Sequence, residues 1–458
     1  MTQYLLLDFG TSRVKSAIVD LDTGEISHIV SRSAPATPDE TGAIPISLLQ
    51  AQFDSICREY LEIKGIPFSG IMLSCQMHGF AVLTEDYRPV SGYITWRDER
   101  SLTMINGESA WNLFNQNFGA RFRQISGMKP RPGFPVFNLL HMARQGSLPK
   151  RSLVASLAEV LCLGSGDFAG VTHPTMVAGL GLYDIERQRE STDILDFIAD
   201  ESGVRVVLPA VVDERCCAGY WHNQTGDKIP IYVGVGDHQC TVLGAENLPA
   251  QTLSINMGTG SQVAAIDFAA TSEQVEQRPY FGNGMLSTIT HIPAGRALET
   301  YVGFLADVAN VVADPKDAFW KMLAEVKPAA ILQETLTMEL GIFSSAWGYQ
   351  GGGAIRNINE GVLTPQRYLA ALLQGLCRQY QTAAQFIDPQ GKLTQCVLSG
   401  GIPQKLPHLL IVLAELLQRE IRQSGTMDES LIGLRTLALV ADGRASDYRA
   451  AQNLHKNN

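Results

Sequence analysis

The stretch LLLDFGTSRVKSAIVD, residues 5–20, decides the fold class of this chain. Tyr4–Leu7 is a continuous apolar run, Asp8-Phe9-Gly10-Thr11-Ser12 is rich in turn formers, and Val14–Val19 is apolar again. With a second turn signal at Asp22-Thr23-Gly24, the pattern predicts strand, tight turn, strand rather than strand and helix. A Walker-type phosphate loop needs a helix after its glycines, and neither GxxxxGK[ST] nor GxGxxG occurs in the chain. The pattern returns at residues 253–267 as LSINMGTGSQVAAID, with Gly-Thr at the turn and Asp at the end. Gly-Thr-Ser turns are common, so chance is one reading. The other is a duplicated domain, each half presenting a Gly-Thr hairpin toward a shared cleft. The copies differ chemically: the first carries Asp8 where the second has Asn256, so only the first keeps a carboxylate able to hold Mg²⁺.

Working outward, the 458 residues are 45% hydrophobic and 18% charged, which suits two or three domains with cores of their own. A formal net charge of −10 argues against a nucleic-acid or anionic-membrane surface as the main function. It leaves anionic small molecules open, because backbone amides hold phosphates without net positive charge. The most apolar run, Leu409–Leu417, contains Glu415 and falls short of the roughly 20 residues needed to span a bilayer. The N-terminus lacks a basic segment, so no signal peptide is expected and the location expected is cytoplasmic. Eight cysteines without a CxxC pair read as reduced, mostly buried thiols. Nine histidines show no HExxH or Cys/His cluster, so no structural zinc is expected.

Four further landmarks carry polar groups at strand ends. In IPIYVGVGDHQCTVLGA, residues 229–245, the strand Ile231–Val235 runs into Gly236 and Asp237. A polar group there meets ligands in α/β folds, and it also caps a following helix; the two readings are compatible. Thr364-Pro365 opens a helix reaching about Ile387, and the strand Thr394–Leu398 then leads into Ser399-Gly400-Gly401. Those glycines either admit a ligand to the backbone or are plain loop residues. Ser74-Cys-Gln-Met-His-Gly79 and Trp96-Arg-Asp-Glu-Arg100 each follow an apolar strand. A lone His is more often a core residue, and an Asp/Arg pair more often a surface ion pair. Together with Trp96, the two clusters point to a polyol site.

At this point the chain resembles the FGGY family of carbohydrate kinases. The resemblance rests on D8-F-G-T-S-R-V-K15, S74-C-Q-M-H-G79, T95-W-R-D-E-R100, G236-D-H-Q239, M257-G-T-G-S261 and S399-G-G-I-P-Q404, in order over nearly the whole chain. T172-H-P-T-M-V-A-G-L-G-L-Y-D184 and L208-P-A210 look like the family's linking segments. The resemblance implies an α/β fold of two actin-like (ribonuclease-H-like) domains with a central cleft, divided as 1–243 and 244–458. It implies ATP and Mg²⁺, a small-molecule sugar substrate, no nucleic acid, no membrane and a possible homodimer. Asp8 would position Mg²⁺. Gly10, Thr11 and Ser12, assisted by Lys15, would face the phosphates from the first half. Gly258, Thr259 and Gly260 would do so from the second, with Gly400, Gly401 and Gln404 flanking the adenosine. Gln76, Met77, His78, Trp96 and Asp98 would line the sugar pocket, with His238 and Gln239 nearby, and Asp237 would be the catalytic base. Phosphoryl transfer needs alignment, charge neutralisation and a proton acceptor, which this set supplies.

Within the family, N256-M-G-T-G-S-Q-V263, R278-P-Y-F281 and G295-R-A297 look most like bacterial sedoheptulokinases, whereas Q76-M-H78 is shared with xylulokinases. A linear ketose fits both, a seven-carbon one being favoured. The chain departs from the family at Arg97 and Glu99, at G133-F-P-V-F-N-L-L-H-M142, and on the adenine side from D428-E-S-L-I-G433 onward. An alternative is a sugar- and nucleotide-binding regulator with weakened catalysis. An actin- or chaperone-like ATPase shares the fold but gives no reason for Gln76–His78 and Trp96.

Overall fold

In the computed structural model, Gln3–Phe9 (β1) and Arg13–Asp20 (β2) pair antiparallel as the opening hairpin, with Phe9 opposite Val14. The structure describes residues 2–35, 42–64, 68–164, 167–223, 226–245, 252–258, 260–309, 315–343, 346–349, 352–425 and 428–454. Ile26–Ser33 (β3) continues antiparallel on β2. The chain then crosses through the helix Ile46–Lys64 (α1) to Gly70–Cys75 (β4), which lies parallel to β1. A parallel neighbour requires such a crossover. Helix α1 packs because Leu49, Phe53, Ile56, Cys57 and Tyr60 recur at helical spacing and are all buried.

Residues 76–216 intervene before the sheet resumes, and they carry an aromatic core of their own. Phe114 lies edge-on to Phe122, Phe137 and Phe197. Within this insertion Leu157–Leu163 (α2) and the short helix Pro174–Ala178 (α3) flank the sheet residues described below. Cys217–His222 (β5), Lys228–Tyr232 (β6) and the two-residue strand Val235–Gly236 (β7) then complete the sheet, in the order β5-β6-β4-β1-β2-β3 with β7 on β4. The helix Asp237–Gly244 (α4) comes directly after.

The second hairpin, Thr252–Met257 (β8) and Gly260–Ile266 (β9), pairs antiparallel, and Met285–Pro293 (β10) adds antiparallel to β9. The helix Pro365–Ile387 (α5) leads to Gln395–Ser399 (β11), parallel to β8, and Glu420–Gln423 (β12) lies parallel to β11. Helix α5 starts where Thr364 accepts from the Arg367 amide, with Pro365 at its first position. It ends at Asp388, a buried carboxylate held by Arg419 at 2.8 Å. The order β10-β9-β8-β11-β12 repeats β3-β2-β1-β4-β6, with the same antiparallel and parallel senses. The repeat in sequence is thus a repeat in topology.

By internal contacts the chain divides into two compact units. The first comprises Met1–Gly244, Gln277–Met285 and Ser430–Asn458; the second comprises Ala245–Glu276 and Leu286–Glu429. Six cysteines are buried, while Cys216 and Cys217, before and at the start of β5, are partly exposed; all eight are free. Among the described residues no helix is long and apolar enough to cross a membrane.

Candidate active site

Three parallel strands of the first unit finish side by side. Asp8 of β1 registers with Ser74 of β4, and Ser74 with Val235 of β7; Phe9, Cys75 and Gly236 form the next row. The chain one step beyond each row therefore brings Gly10, Gln76 and Asp237 out at one sheet edge. Carboxyl ends of parallel strands are where α/β proteins meet ligands, because the backbone there is free of the ladder. The Gln76 amide donates to the Phe9 carbonyl at 2.8 Å and continues the alignment past β4.

Asp8 is fixed by two hydroxyls. Ser74 Oγ donates to Oδ1 at 2.6 Å and Ser430 Oγ to Oδ2 at 2.7 Å. The equivalent polar pair of the second unit is Asn256, whose Nδ2 donates to Ser399 Oγ at 3.0 Å in the same register. Lys15 sits opposite Asp8 on β2. Gly10 N donates to Arg13 O at 3.0 Å, closing the hairpin turn that carries Thr11 and Ser12. Thr11 turns inward: its hydroxyl donates to Gln76 Oε1 at 3.0 Å and accepts from Trp96 Nε1 at 3.3 Å.

Asp237 opens helix α4 and is half-buried; the His238 amide donates to its Oδ1 at 2.8 Å. Burial pushes its carboxyl up to about 7, and the nearby Asp8 charge adds to this; the His238 N–H and the Arg278 guanidinium pull the other way. A carboxyl that titrates near neutrality and still has an opening to solvent is suited to accepting a proton. A Cβ on Gly236 before it would stand 2.6 Å from Gln239 Oε1 and 2.9 Å from Met77 Sδ, so the ends of those side chains would have to shift.

The residues after β4 divide in their surroundings. Gln76 and Met77 are buried, and His78 takes left-handed backbone at φ 63°. The His78 ring stacks on Phe134 with centroids 4.6 Å apart. Its Nε2 lies 2.9 Å from Arg278 Nη1 and its Nδ1 3.0 Å from the Gly179 carbonyl. A guanidinium only donates, so Nε2 accepts and Nδ1 carries the proton. Trp96 is exposed, with the Arg97 guanidinium 5.3 Å over its ring. Asp98 is gripped by Arg100, whose Nε and Nη2 reach its two oxygens at 2.9 and 2.6 Å. His238 is buried. Gln239 is fully buried, and its amide nitrogen donates to the Pro279 carbonyl at 3.1 Å.

In the second unit Gly258 N donates to Gly260 O at 3.1 Å in the turn between β8 and β9; Thr259 lies outside the described residues. Gly400 comes after β11 at φ 89° and ψ 176°. Its amide donates to Glu429 Oε1 at 3.0 Å. Gly401 and Gln404 lie on the short helix Gly401–Lys405 beyond it.

Two residues of this arrangement went unrecognised in the sequence. Arg278 is buried at 3% exposure and reaches His78 across 200 residues of chain. It stood only as part of R278-P-Y-F281. Ser430 holds Asp8 from 422 residues away and belongs to the first unit, although the stretch from Asp428 onward read as adenine-side. No local signal marked either: Arg278 stands between Gln277 and Pro279, and Ser430 between Glu429 and Leu431. Among the described residues no group of three or more His, Cys, Asp and Glu is set to hold a metal ion.

Residues 3–244 match the N-terminal domain of the FGGY family of carbohydrate kinases, more than half of the chain. The chain is 20% identical to xylulose kinase from Bacillus subtilis (strain 168) over 482 residues, covering 98% of this chain and 93% of the relative. Among solved structures, gluconate kinase from Lactobacillus acidophilus superposes with a TM-score of 0.82 at 17% identity, covering 98% of this chain and 91% of that one. The ligand-bound xylulose kinase from Lactobacillus acidophilus gives 0.79 at 18% identity, with coverage of 98% and 91%. At such identities these two establish the fold, the α/β actin-like and ribonuclease-H-like one. With the repeated five-strand topology and the family match over the first unit, the chain belongs to the FGGY family of carbohydrate kinases, sugar-phosphorylating phosphotransferases.

Proposed function

We propose that this kinase transfers the γ-phosphoryl group of ATP to a hydroxyl of a linear ketose, with Asp237 as the general base. The observation that carries this reading is Asp237 itself: a half-buried carboxyl at a strand-end edge, pushed up to about 7, one residue beyond the row that holds Cys75. The sugar hydroxyl oxygen attacks the γ-phosphorus as its proton passes to Asp237, and the bond to the ADP oxygen breaks. Little covalent help is needed beyond alignment and charge neutralisation. Gln76 and Trp96 are the groups we assign to the sugar; His78, with both ring nitrogens bonded to Arg278 and the Gly179 carbonyl, is assigned to the pocket wall. Gly10, Thr11, Ser12 and Lys15, with Gly258, Thr259 and Gly260, are assigned to phosphates, and Gly400, Gly401 and Gln404 to the adenosine.

Mg²⁺ fits the donor set at Asp8. A single carboxylate oriented by two serine hydroxyls suits a hard cation that keeps most of its waters and is completed by phosphate oxygens. When bound, it would neutralise charge on the phosphoryl oxygens.

A five-carbon ketose is the first candidate, because the relative aligned over nearly the whole chain is a xylulose kinase. A seven-carbon ketose is the second, on the resemblance of the 256–263, 278–281 and 295–297 stretches. Incubation with Mg²⁺-ATP and four- to seven-carbon ketoses and polyols, read by mass spectrometry, should show one sugar gaining a phosphoryl group. Asp237→Asn should lower that turnover by about 10²–10⁴ while leaving the circular dichroism spectrum intact. No product with any sugar, or an active Asp237→Asn, would end the proposal.

A further inference from the structure

We propose that Glu214, His173 and Thr175 form a buried tether that positions the strand end bearing Asp237, with the Thr175 hydroxyl as its positioning group. The inference rests on the reading of Asp237 as the base. The stretch T172-H-P-T175 looked only like a linking segment in the sequence, and neither His173 nor Glu214 has a part in phosphoryl transfer itself.

All three side chains are buried, at 1% exposure for His173, 0% for Thr175 and 6% for Glu214. The Gly236 amide, one residue before Asp237, donates to Thr175 Oγ1 at 2.9 Å. Thr175 Oγ1 lies 2.8 Å from His173 Nδ1, and the Thr175 amide donates to that same nitrogen at 3.2 Å. His173 Nε2 lies 3.2 Å from Glu214 Oε2. The donors admit one direction. Nδ1 accepts from the Thr175 amide, so it is bare; the Thr175 hydroxyl donates to it, and Nε2–H donates to Glu214. Each group thereby orients the next, from Glu214 to the backbone beside Asp237. Buried polar groups are costly unless satisfied, and here the Gly236 amide, the Thr175 hydroxyl and both His173 ring nitrogens are paired.

Placement gives the tether its purpose. Gly236 has no side chain to anchor it. The hydrogen bond to Thr175 therefore restrains this residue from outside its own strand pair. The same helix, α3, ends at Gly179, whose carbonyl lies 3.0 Å from His78 Nδ1. One five-residue helix thus braces Asp237 at its start and His78 at its end. Reacting groups displaced by about 1 Å lose on the order of a hundredfold in rate.

The test compares Thr175→Val, which keeps the shape, with Thr175→Ser, which keeps the hydroxyl. His173→Asn is included because its side-chain oxygen can still accept from the Thr175 amide while the link to Glu214 is cut. Asp237→Asn is assayed alongside. Thr175→Val is expected to lower kcat about ten- to a hundredfold with the sugar KM within about twofold. His173→Asn should lower kcat in the same way, and Thr175→Ser should recover most of it. If Asp237→Asn is inactive while Thr175→Val and His173→Asn keep full kcat, the tether is wrong and the base stands. If Thr175→Ser fails to rescue and the losses track melting temperature alone, the role is structural and the proposal is overturned. An active Asp237→Asn would remove the base, and the tether with it.

Discussion

At the residue scale, Asp237 shows how function is set against stability. Its carboxyl titrates near 7 when folded, against 3.8 in an ordinary Asp, chiefly because burial penalises the charged form. The folded state then binds the proton more tightly than the unfolded chain does. The stabilisation is complete below about pH 4 and is lost as pH rises toward 7. Asp237→Asn removes the buried charge, so above pH 7 it is expected to melt higher than the parent, by on the order of 1–3 kcal/mol in stability. Thermal melts at pH 5 and pH 8 check this, and a variant that is less stable at pH 8 would refute it. The same titration predicts that kcat/KM climbs with unit slope to a plateau above about pH 7, since only the carboxylate takes the hydroxyl proton. Asp237 was legible in the sequence because a polar residue after a strand and two glycines is a local pattern. Arg278 was not, because its partner His78 lies 200 residues away and only folding brings them together.

At the element scale, the two Gly-Thr hairpins were legible as strand, turn and strand, since the signal needs only the period of apolar residues over some fifteen positions. The helix Pro365–Ile387 was equally plain from its Thr-Pro start and its spacing. The segment after β11 was less so. A glycine pair after a strand reads equally well as a loop, and the distinguishing fact is the backbone of Gly400. At φ 89° and ψ 176° it occupies a region essentially reserved for glycine, and a Cβ would stand 2.7 Å from the Met257 carbonyl at the end of β8. Gly400→Ala must therefore move one of the two segments assigned to the nucleotide, at a cost of about 1–3 kcal/mol. We expect its KM for ATP to rise about tenfold, with the sugar KM unchanged; equal KM values for ATP in variant and parent would show that Gly400 is a plain loop residue.

At the scale of the whole molecule, the C-terminal stretch completes the first unit. Asp442 accepts from Tyr4 Oη at 2.9 Å, Arg444 reaches Asp22 at 2.7 Å, Gln452 donates to the Leu243 carbonyl at 2.8 Å, and Ser430 holds Asp8. A fragment ending at Gly244 lacks all four, together with Arg278. It is expected to aggregate or to melt without a sharp transition, and a soluble fragment melting within about 5 °C of the full chain would contradict this. The sequence by itself determined the hairpins, their duplication, the strand-end carboxylates Asp8 and Asp237, and the family. The hairpins and the strand-end carboxylates are written in short-range periodicity and turn chemistry, which act before any distant contact forms; the duplication and the family are read from motifs that recur in order along the chain. Only the tertiary structure decided that Ser430 reaches Asp8, that Arg278 reaches His78, and that Thr175 holds the amide of the residue before Asp237. Such pairings depend on which segments the sheet brings together across hundreds of residues, and no local pattern encodes the partner.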